Sequence, residues 1–154
     1  MRDNKDCEDN MGYKVGIISD THNVLRQEVI DDLIDCDYIL HAGDIMEEEI
    51  LLKLQAICKV IAVKGNNDVL ELNSDEYFHI GKYSFYMIHK VGEHRDVDFY
   101  IFGHSHQYAF YTKDSTVYLN PGSCGRKRFS LPLTYIILYI DDNGYRVVKS
   151  KIES

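Results

Sequence analysis

Several things are scarce in this chain, and each scarcity narrows what it can be. Its four cysteines, Cys7, Cys36, Cys58 and Cys124, are scattered and form no Cys-x-x-Cys pair. No disulfide framework is visible in that spacing, and reduced thiols in a cytoplasmic protein are expected. No stretch approaches the ~18 consecutive apolar residues of a membrane span. The opening "MRDNKDCEDN" also lacks the apolar segment of a signal peptide. Basic residues are outnumbered, 17 Lys and Arg against 25 Asp and Glu, for a net charge of −8. General nucleic-acid binding, which leaves a basic footprint, is not expected. A small anionic substrate held by local cations stays compatible with that balance. No G-x-G-x-x-G follows the first apolar run, which excludes a dinucleotide-binding fingerprint there.

Repeats, low-complexity tracts and linkers are missing as well. The reading is one domain over 12–154, preceded by a polar, mobile lead over 1–11. Met11 is a candidate start, because "MGYKVGIISD" opens directly on a strand. A chain of 154 residues buries about 68–70% of its unfolded surface, enough for a substantial core.

What is present is a regular alternation in the first half. "YKVGIIS" (13–19), "YILHAG" (38–43) and "KVIAVKG" (59–65) read as strands. Between them, "VLRQEVIDDLI" (24–34) and "EEEILLKLQAI" (47–57) carry apolar residues at helical spacing. Asn23 is a plausible N-cap for the first, and the acidic start of the second suits the helix dipole. Strand and helix in alternation imply right-handed βαβ units and a parallel sheet. The second half reads as strands at 76–81, 83–89, 98–102, 108–112, 116–120, 133–141 and 145–152, with room for a helix or two. Asp142, Asn143 and Gly144 suit a hairpin turn. Two packed sheets with helices outside are expected.

The polar residues gather at the ends of these runs. The first strand ends in "SDTHN", with Asp20 and His22, and the second in "HAGD", with Asp44. The third ends in "KGNND", with Asn66 and Asn67; "FYMIHK" ends in His89, and "YIFGHSHQ" in His104 and His106. Ligands of open α/β sheets bind at the carboxyl ends of strands. In an extended segment, residues i and i+2 face the same way. Asp20 and His22 are thus expected to grip one ion from one side. His104 and His106 can do the same, or each can reach a different ion. Asp44 is placed to bridge two ions, and Asn66 offers a neutral amide oxygen. Imidazole, carboxylate and amide oxygen together suit Mn²⁺, Fe²⁺, Ni²⁺ or Zn²⁺.

In this order, "DTH", "GD", "GNND", a lone histidine and "GHSH" resemble the calcineurin-like metallophosphoesterase superfamily. The short chain, Asn67 after Asn66 and the tail "NPGSCGRKR" resemble its small bacterial and archaeal phosphodiesterase branch. The resemblance implies an α/β fold, a four-layer α/β/β/α sandwich with two mixed sheets. It also implies two divalent metal ions per chain, Mn²⁺ favoured, with Ni²⁺, Fe²⁺ or Zn²⁺ as alternatives. One ion would be held by Asp20, His22 and His106, the other by Asn66, His89 and His104, with Asp44 between them. The implied activity is phosphoester hydrolysis, most simply of a phosphodiester, by a metal-bridging hydroxide. No Ser or Cys nucleophile is then needed, Cys124 included. The alternative is a non-catalytic protein-interaction scaffold on the same fold, as in the retromer complex.

Two departures from the family matter. Asn67 stands where many members carry a histidine acid, which favours substrates with good leaving groups. Only nine residues, Lys90 to Asp98, separate His89 from the next strand, short for a crossover helix. A loop is expected there, with the cleft more open on that side and Lys90, His94 and Arg95 bordering the substrate. Asn67, His94 and Arg128 are the candidate substrate-contacting residues, although the run Arg126, Lys127, Arg128 also reads as a solvated basic face. His41 reads as a core or supporting histidine, His79 as surface, and Asp68 as an acceptor that fixes the Asn66 turn. "NPGS" (120–123) reads equally as a plain turn or as amides near the site. The expected partner is a small phosphorylated substrate, with no membrane; exposed apolar strands would mark a homo-oligomer.

Overall fold

The computed structural model describes residues 12–22, 24–66, 68, 71–125 and 131–152. The expectations for 1–11, Asn23, Asn67 and Arg126 to Arg128 lie outside the described residues. Among the described residues, ten strands and two helices follow one another as β1 (Tyr13–Ile18), α1 (Gln27–Leu33), β2 (Tyr38–His41), α2 (Glu48–Gln55), β3 (Lys59–Ala62), β4 (Asp75–Ile80), β5 (Tyr83–Ile88), β6 (Phe99–Ile101), β7 (Ala109–Lys113), β8 (Thr116–Asn120), β9 (Leu133–Asp141) and β10 (Gly144–Ile152).

They form two five-stranded mixed sheets. The first runs β10-β9-β1-β2-β3 and the second β4-β5-β6-β8-β7. In the first, β1–β2 and β2–β3 are parallel, as the βαβ pattern requires, while β9 and β10 join antiparallel. In the second, β5–β6 and β6–β8 are parallel, flanked by antiparallel β4 and β7.

The alternation of strand residues decides the layers. Val15, Ile17, Leu40 and Leu138 of the first sheet meet Phe85, Met87, Phe99, Ile101 and Leu119 of the second in a buried core. Ile18, Ile39, Tyr135 and Ile137 point the other way, onto Val29 and Leu33 of α1 and Ile50 and Leu54 of α2. The outer face of the second sheet carries Tyr86, Tyr100, Phe102 and Tyr118.

No helix covers that outer face among the described residues; the loop after β5 does. The Gly92 N–H donates to Tyr100 Oη at 3.0 Å, and the Arg95 guanidinium lies 4.7 Å from the Tyr86 ring centroid. The short segment is therefore the expected loop, and it occupies the place of an outer helical layer. The second half contains no helix among the described residues, so the room left for one goes unused.

Helix α1 starts later than the periodicity predicts. Its N-cap is Arg26, in an extended conformation without a side-chain cap. Val24 belongs to a turn instead, its N–H on the Thr21 carbonyl at 2.9 Å, and its side chain is exposed. The apolar period at Val24 and Leu25 was overridden by the loop that leaves the end of β1. Among the described residues no helix is long and apolar enough to cross a membrane.

Candidate metal centre

Seven candidate ligands follow five strand ends. Asp20 and His22 leave β1, Asp44 leaves β2, Asn66 leaves β3, His89 leaves β5, and His104 and His106 leave β6. The β1 and β2 loops are fastened to each other. The Asp20 N–H donates to the Gly43 carbonyl at 2.9 Å and the His22 N–H to the Asp44 carbonyl at 3.0 Å. Likewise the Gly103 N–H donates to the His89 carbonyl at 2.8 Å, joining the β5 and β6 ends.

These loops bring the side chains together. Ligand atoms of Asp20, His22 and His106 lie within 4.8 Å of one another, and so do those of Asp20, Asp44 and His89. Asp20 Oδ1 is 3.5 Å from His106 Nε2 and 3.9 Å from both His22 Nε2 and His89 Nε2. Asp44 Oδ2 is 3.6 Å from His22 Nε2 and 3.4 Å from His89 Nε2. His104 joins through the His89 ring, centroids 5.2 Å apart, and its Nδ1 lies 3.4 Å from the Asn66 amide.

The convergence does not arise as the alternation argument expects. Asp20, His22, Asp44, His104 and His106 all have left-handed backbone, with φ of 55°, 48°, 62°, 73° and 65°. The i, i+2 pairs are thus turned inward by tight left-handed corners rather than carried on extended segments. Such residues cost about 1–3 kcal/mol each and persist where the surroundings over-determine them, typically at functional sites.

Two glycines make room for this. A Cβ on Gly65 would fall on Asp44 N and Oδ1, and one on Gly103 would fall on Ser19 Oγ and come within 3.2 Å of Asp20 Oδ2. Side chains at these positions would push the two carboxylates out of place.

A supporting shell orients the candidate ligands. The Ser19 hydroxyl donates to Asp20 Oδ2 at 2.8 Å and the Ser123 hydroxyl to the Asp20 carbonyl at 3.1 Å. Asp68 is buried and accepts three backbone N–H groups, from Asp44 (2.9 Å), Gly65 (2.8 Å) and Met46 (2.6 Å). The His89 Nδ1–H donates to the Ala42 carbonyl at 2.7 Å, so Nε2 keeps its lone pair towards the carboxylates. His41 is fully buried; its Nδ1 accepts the Gly43 N–H at 3.1 Å and its Nε2–H donates to Thr21 Oγ1 at 3.0 Å. It supports the β1 and β2 loops, as its position before Ala-Gly-Asp suggests.

The electrostatics call for a cation. Asp20 Oδ1 is buried and accepts no hydrogen bond from the described residues. Burial foremost, with the Asp44 charge adding, pushes the Asp20 carboxyl up to about 7 against the Ser19 hydroxyl and His89, which favour its ionised form. Burial alone would lower the His89 imidazole, but the Asp44 carboxylate, the Ala42 carbonyl and Asp20 outweigh it and raise it. Two buried carboxylates facing imidazole nitrogens fit a divalent ion. Cys124, by contrast, is fully buried and its thiol is pushed up to about 12, which makes it inert.

The remaining candidates lie elsewhere. His94 is not brought to this group. Its Nδ1 is 2.5 Å from Tyr118 Oη and its Nε2 3.2 Å from Asp96 Oδ1, on the outer face of the second sheet. Arg95 lies on the same face, donating to Tyr77 Oη at 2.8 Å. His79 is exposed on β4, as its place in the hairpin suggests. Ser19, Ser123 and Asn120 were missed by the sequence reading. Asn120 donates to the Gly103 carbonyl at 3.1 Å, so "NPGS" braces the site through side chains. Its only signal was a polar turn at the end of a buried strand.

Comparison with known proteins agrees with this geometry. The sequence profile of the calcineurin-like phosphoesterase superfamily domain matches residues 13–143. The chain is 34% identical over 128 residues to a probable metallophosphoesterase of Methanocaldococcus jannaschii, covering 71% of this chain and 67% of that protein. In fold it resembles an archaeal phosphodiesterase, with TM-score 0.69, 23% identity, and coverage of 89% of this chain and 99% of the other. It also resembles wild-type Vps29 of Entamoeba histolytica complexed with Zn²⁺, with TM-score 0.70, 21% identity, and coverage of 90% and 98%. With the profile spanning nearly the whole fold and the curated relative above 30% identity, the chain belongs to the calcineurin-like phosphoesterase superfamily.

Proposed function

We propose that this protein is a phosphodiesterase working with two divalent metal ions, Mn²⁺ favoured, on a small phosphorylated substrate in the cytoplasm. Asp20, His22 and His106 would hold one ion, Asn66, His89 and His104 the other, and Asp44 would serve both. The observation that carries this reading is the overlap of two ligand trios. Asp20 belongs to one with His22 and His106 and to another with Asp44 and His89, and Asp44 Oδ2 lies 3.6 Å from His22 Nε2 and 3.4 Å from His89 Nε2, one histidine of each proposed set. The two trios name five donors, and with His104 and Asn66 beside them the seven exceed the six places of an octahedral ion, which favours two.

When bound, such ions supply Lewis acidity towards a phosphoryl group and lower the pKa of water from about 15.7 to near 7. The chain's own residues supply the rest. Asn66, a neutral donor, limits the negative charge of the site. Asp68 and Ser19 hold Asp44 and Asp20 in place, and the Ala42 carbonyl fixes the His89 tautomer. Neither Cys124, which is inert, nor Asn67, which cannot act as an acid, offers covalent or proton-donating help. General acid catalysis is typically worth about 10²–10⁴-fold, so its lack favours diesters with good leaving groups. Free Cys36, Cys58 and Cys124 suit a reducing cytoplasm.

A protein-interaction scaffold is the rival reading, prompted by the likeness to Vps29, which is a likeness of fold alone. The complete set of seven competent side chains favours catalysis. The test is hydrolysis of a chromogenic phosphodiester by chelator-stripped protein, with and without Mn²⁺, beside Asp44→Asn. Mn²⁺-dependent turnover that Asp44→Asn lowers by roughly 10²-fold or more is expected, since outer-shell partners alone are worth about 10–100-fold. No turnover with any divalent ion would favour the scaffold.

A further inference from the structure

Two histidines of the site, His89 and His22, are oriented by different kinds of partner. His89 gives its Nδ1 proton to a carbonyl oxygen, Ala42 O, at 2.7 Å. His22 Nδ1 instead lies 3.3 Å from the thioether sulfur of Met46. A thioether has no proton to give, so in this contact the imidazole donates and the sulfur accepts. The His22 proton then sits on Nδ1, and the Nε2 lone pair faces Asp44 Oδ2 and Asp20 Oδ1.

Met46 is held for this contact. Its backbone is left-handed, φ 80°, a conformation that an unbranched side chain adopts only under constraint. The constraint is visible: its N–H donates to Asp68 Oδ1 at 2.6 Å, through the same carboxylate that fixes Asp44. One buried acid thus places both the shared carboxylate and the sulfur that orients His22.

Sulfur is a weak acceptor, and ring basicity rises with the strength of the partner taking the other N–H. We propose that Met46 is a positioning residue that sets His22 in its ligating tautomer and, by accepting only weakly, leaves the ion at Asp20, His22 and His106 less tightly held than a stronger acceptor in its place would. The inference rests on the two-ion reading given above.

The test compares wild type, Met46→Leu and Met46→Gln, none of which puts a β-branched side chain at this corner. Mn²⁺ binding is titrated by calorimetry and by the loss of the free-ion electron paramagnetic resonance signal. Wild type is expected to show two affinity classes. Met46→Gln, offering an amide oxygen, is expected to tighten one class, and Met46→Leu, offering no acceptor, to weaken that same class, each by about 10-fold, the lower end of outer-shell effects. The other class stays unchanged in both. In metal-free protein, ¹H–¹⁵N spectra of the His22 ring are expected to show a proton on Nδ1 in wild type. Met46→Leu mixes the two tautomers. Two ions bound with the same affinities in all three proteins, and an unchanged His22 tautomer, would overturn the inference alone. A wild type that binds no divalent ion would overturn the two-ion reading, and this inference with it.

Discussion

Asp68 holds Asp44 by the backbone: Asp68 Oδ2 accepts the Asp44 N–H at 2.9 Å while accepting the Gly65 N–H at 2.8 Å. The left-handed corner that aims the Asp44 carboxylate is therefore tied to the end of β3 by one buried acid. Asp68→Asn replaces one accepting oxygen with an NH₂ group that faces other donors. The expected result is a lower melting temperature, a loss of about 1–3 kcal/mol for the donors left without a partner, and Mn²⁺ affinity reduced by about 10–100-fold. Thermal denaturation and Mn²⁺ titration on one preparation check both.

Gly103 lies against Ser19 Oγ and Asp20 Oδ2, so Gly103→Ala should disturb the site before the fold. Overpacking of this kind costs about 1–3 kcal/mol. The variant is expected to fold, with unchanged far-ultraviolet circular dichroism, and to bind Mn²⁺ at least 10-fold more weakly, by about the same rule as other outer-shell changes. Retained affinity would mean that the Ser19–Asp20 pair yields without cost.

Asp20 and His41 should pull the acid stability of the metal-free protein in opposite directions. The Asp20 carboxyl is raised from 3.8 to about 7. Between those values the native chain binds more protons than the unfolded one, so stability falls as pH rises. His41 is lowered from 6.5 to about 3, with burial as the main cause. Between those values the unfolded chain binds more protons, so stability is lost as pH falls. Each effect has a limiting slope of about 1.4 kcal/mol per pH unit. Relative to wild type, Asp20→Asn should gain stability as pH rises from about 4 to about 7, and His41→Gln should gain it as pH falls from about 6.5 to about 3. Urea denaturation at pH 4, 5, 6 and 7 separates the two, and difference profiles that do not change with pH would refute the assignment.

His94 anchors the loop after β5 rather than reaching the ligand group. His94→Ala should cost about 0.5–1.5 kcal/mol of stability, the worth of a typical hydrogen bond. It should leave the KM for a chromogenic diester within about twofold, well under the 1.4 kcal/mol that a tenfold change represents. A large rise in KM without loss of stability would return His94 to the substrate.

Much of the fold was legible because patterns of period 2 and 3.6 dominate it. Strand β8 falls at its expected residues and β9 likewise. The start of α1 was not legible, because Val24 and Leu25 keep the helical period while their backbone serves the β1 loop. The order of polar residues at strand ends identified the group that converges. It did not carry the reason for convergence, which lies in left-handed corners at Asp20, His22, Asp44, His104 and His106. Periodicity describes extended and helical backbone only, so it has no sign for such corners. The same blindness hid Met46, whose thioether reads as one more apolar side chain after "GDI".

The candidate ligands are drawn from both sheets. Asp20, His22, Asp44 and Asn66 follow strands of the first, and His89, His104 and His106 follow strands of the second. An ion held by members of both would act as a rivet through the seam between them. Elsewhere that seam is closed by side-chain packing across its interior, such as Val15 and Leu40 with Phe85 and Met87. Such contacts resist separation more than lateral slip, which the Tyr83 hydroxyl, donating to the Asp141 carbonyl at 3.0 Å, also opposes. A rivet at one end converts slip into a change in coordination distance, so the relative position of the sheets and the spacing of the donors become a single mechanical variable.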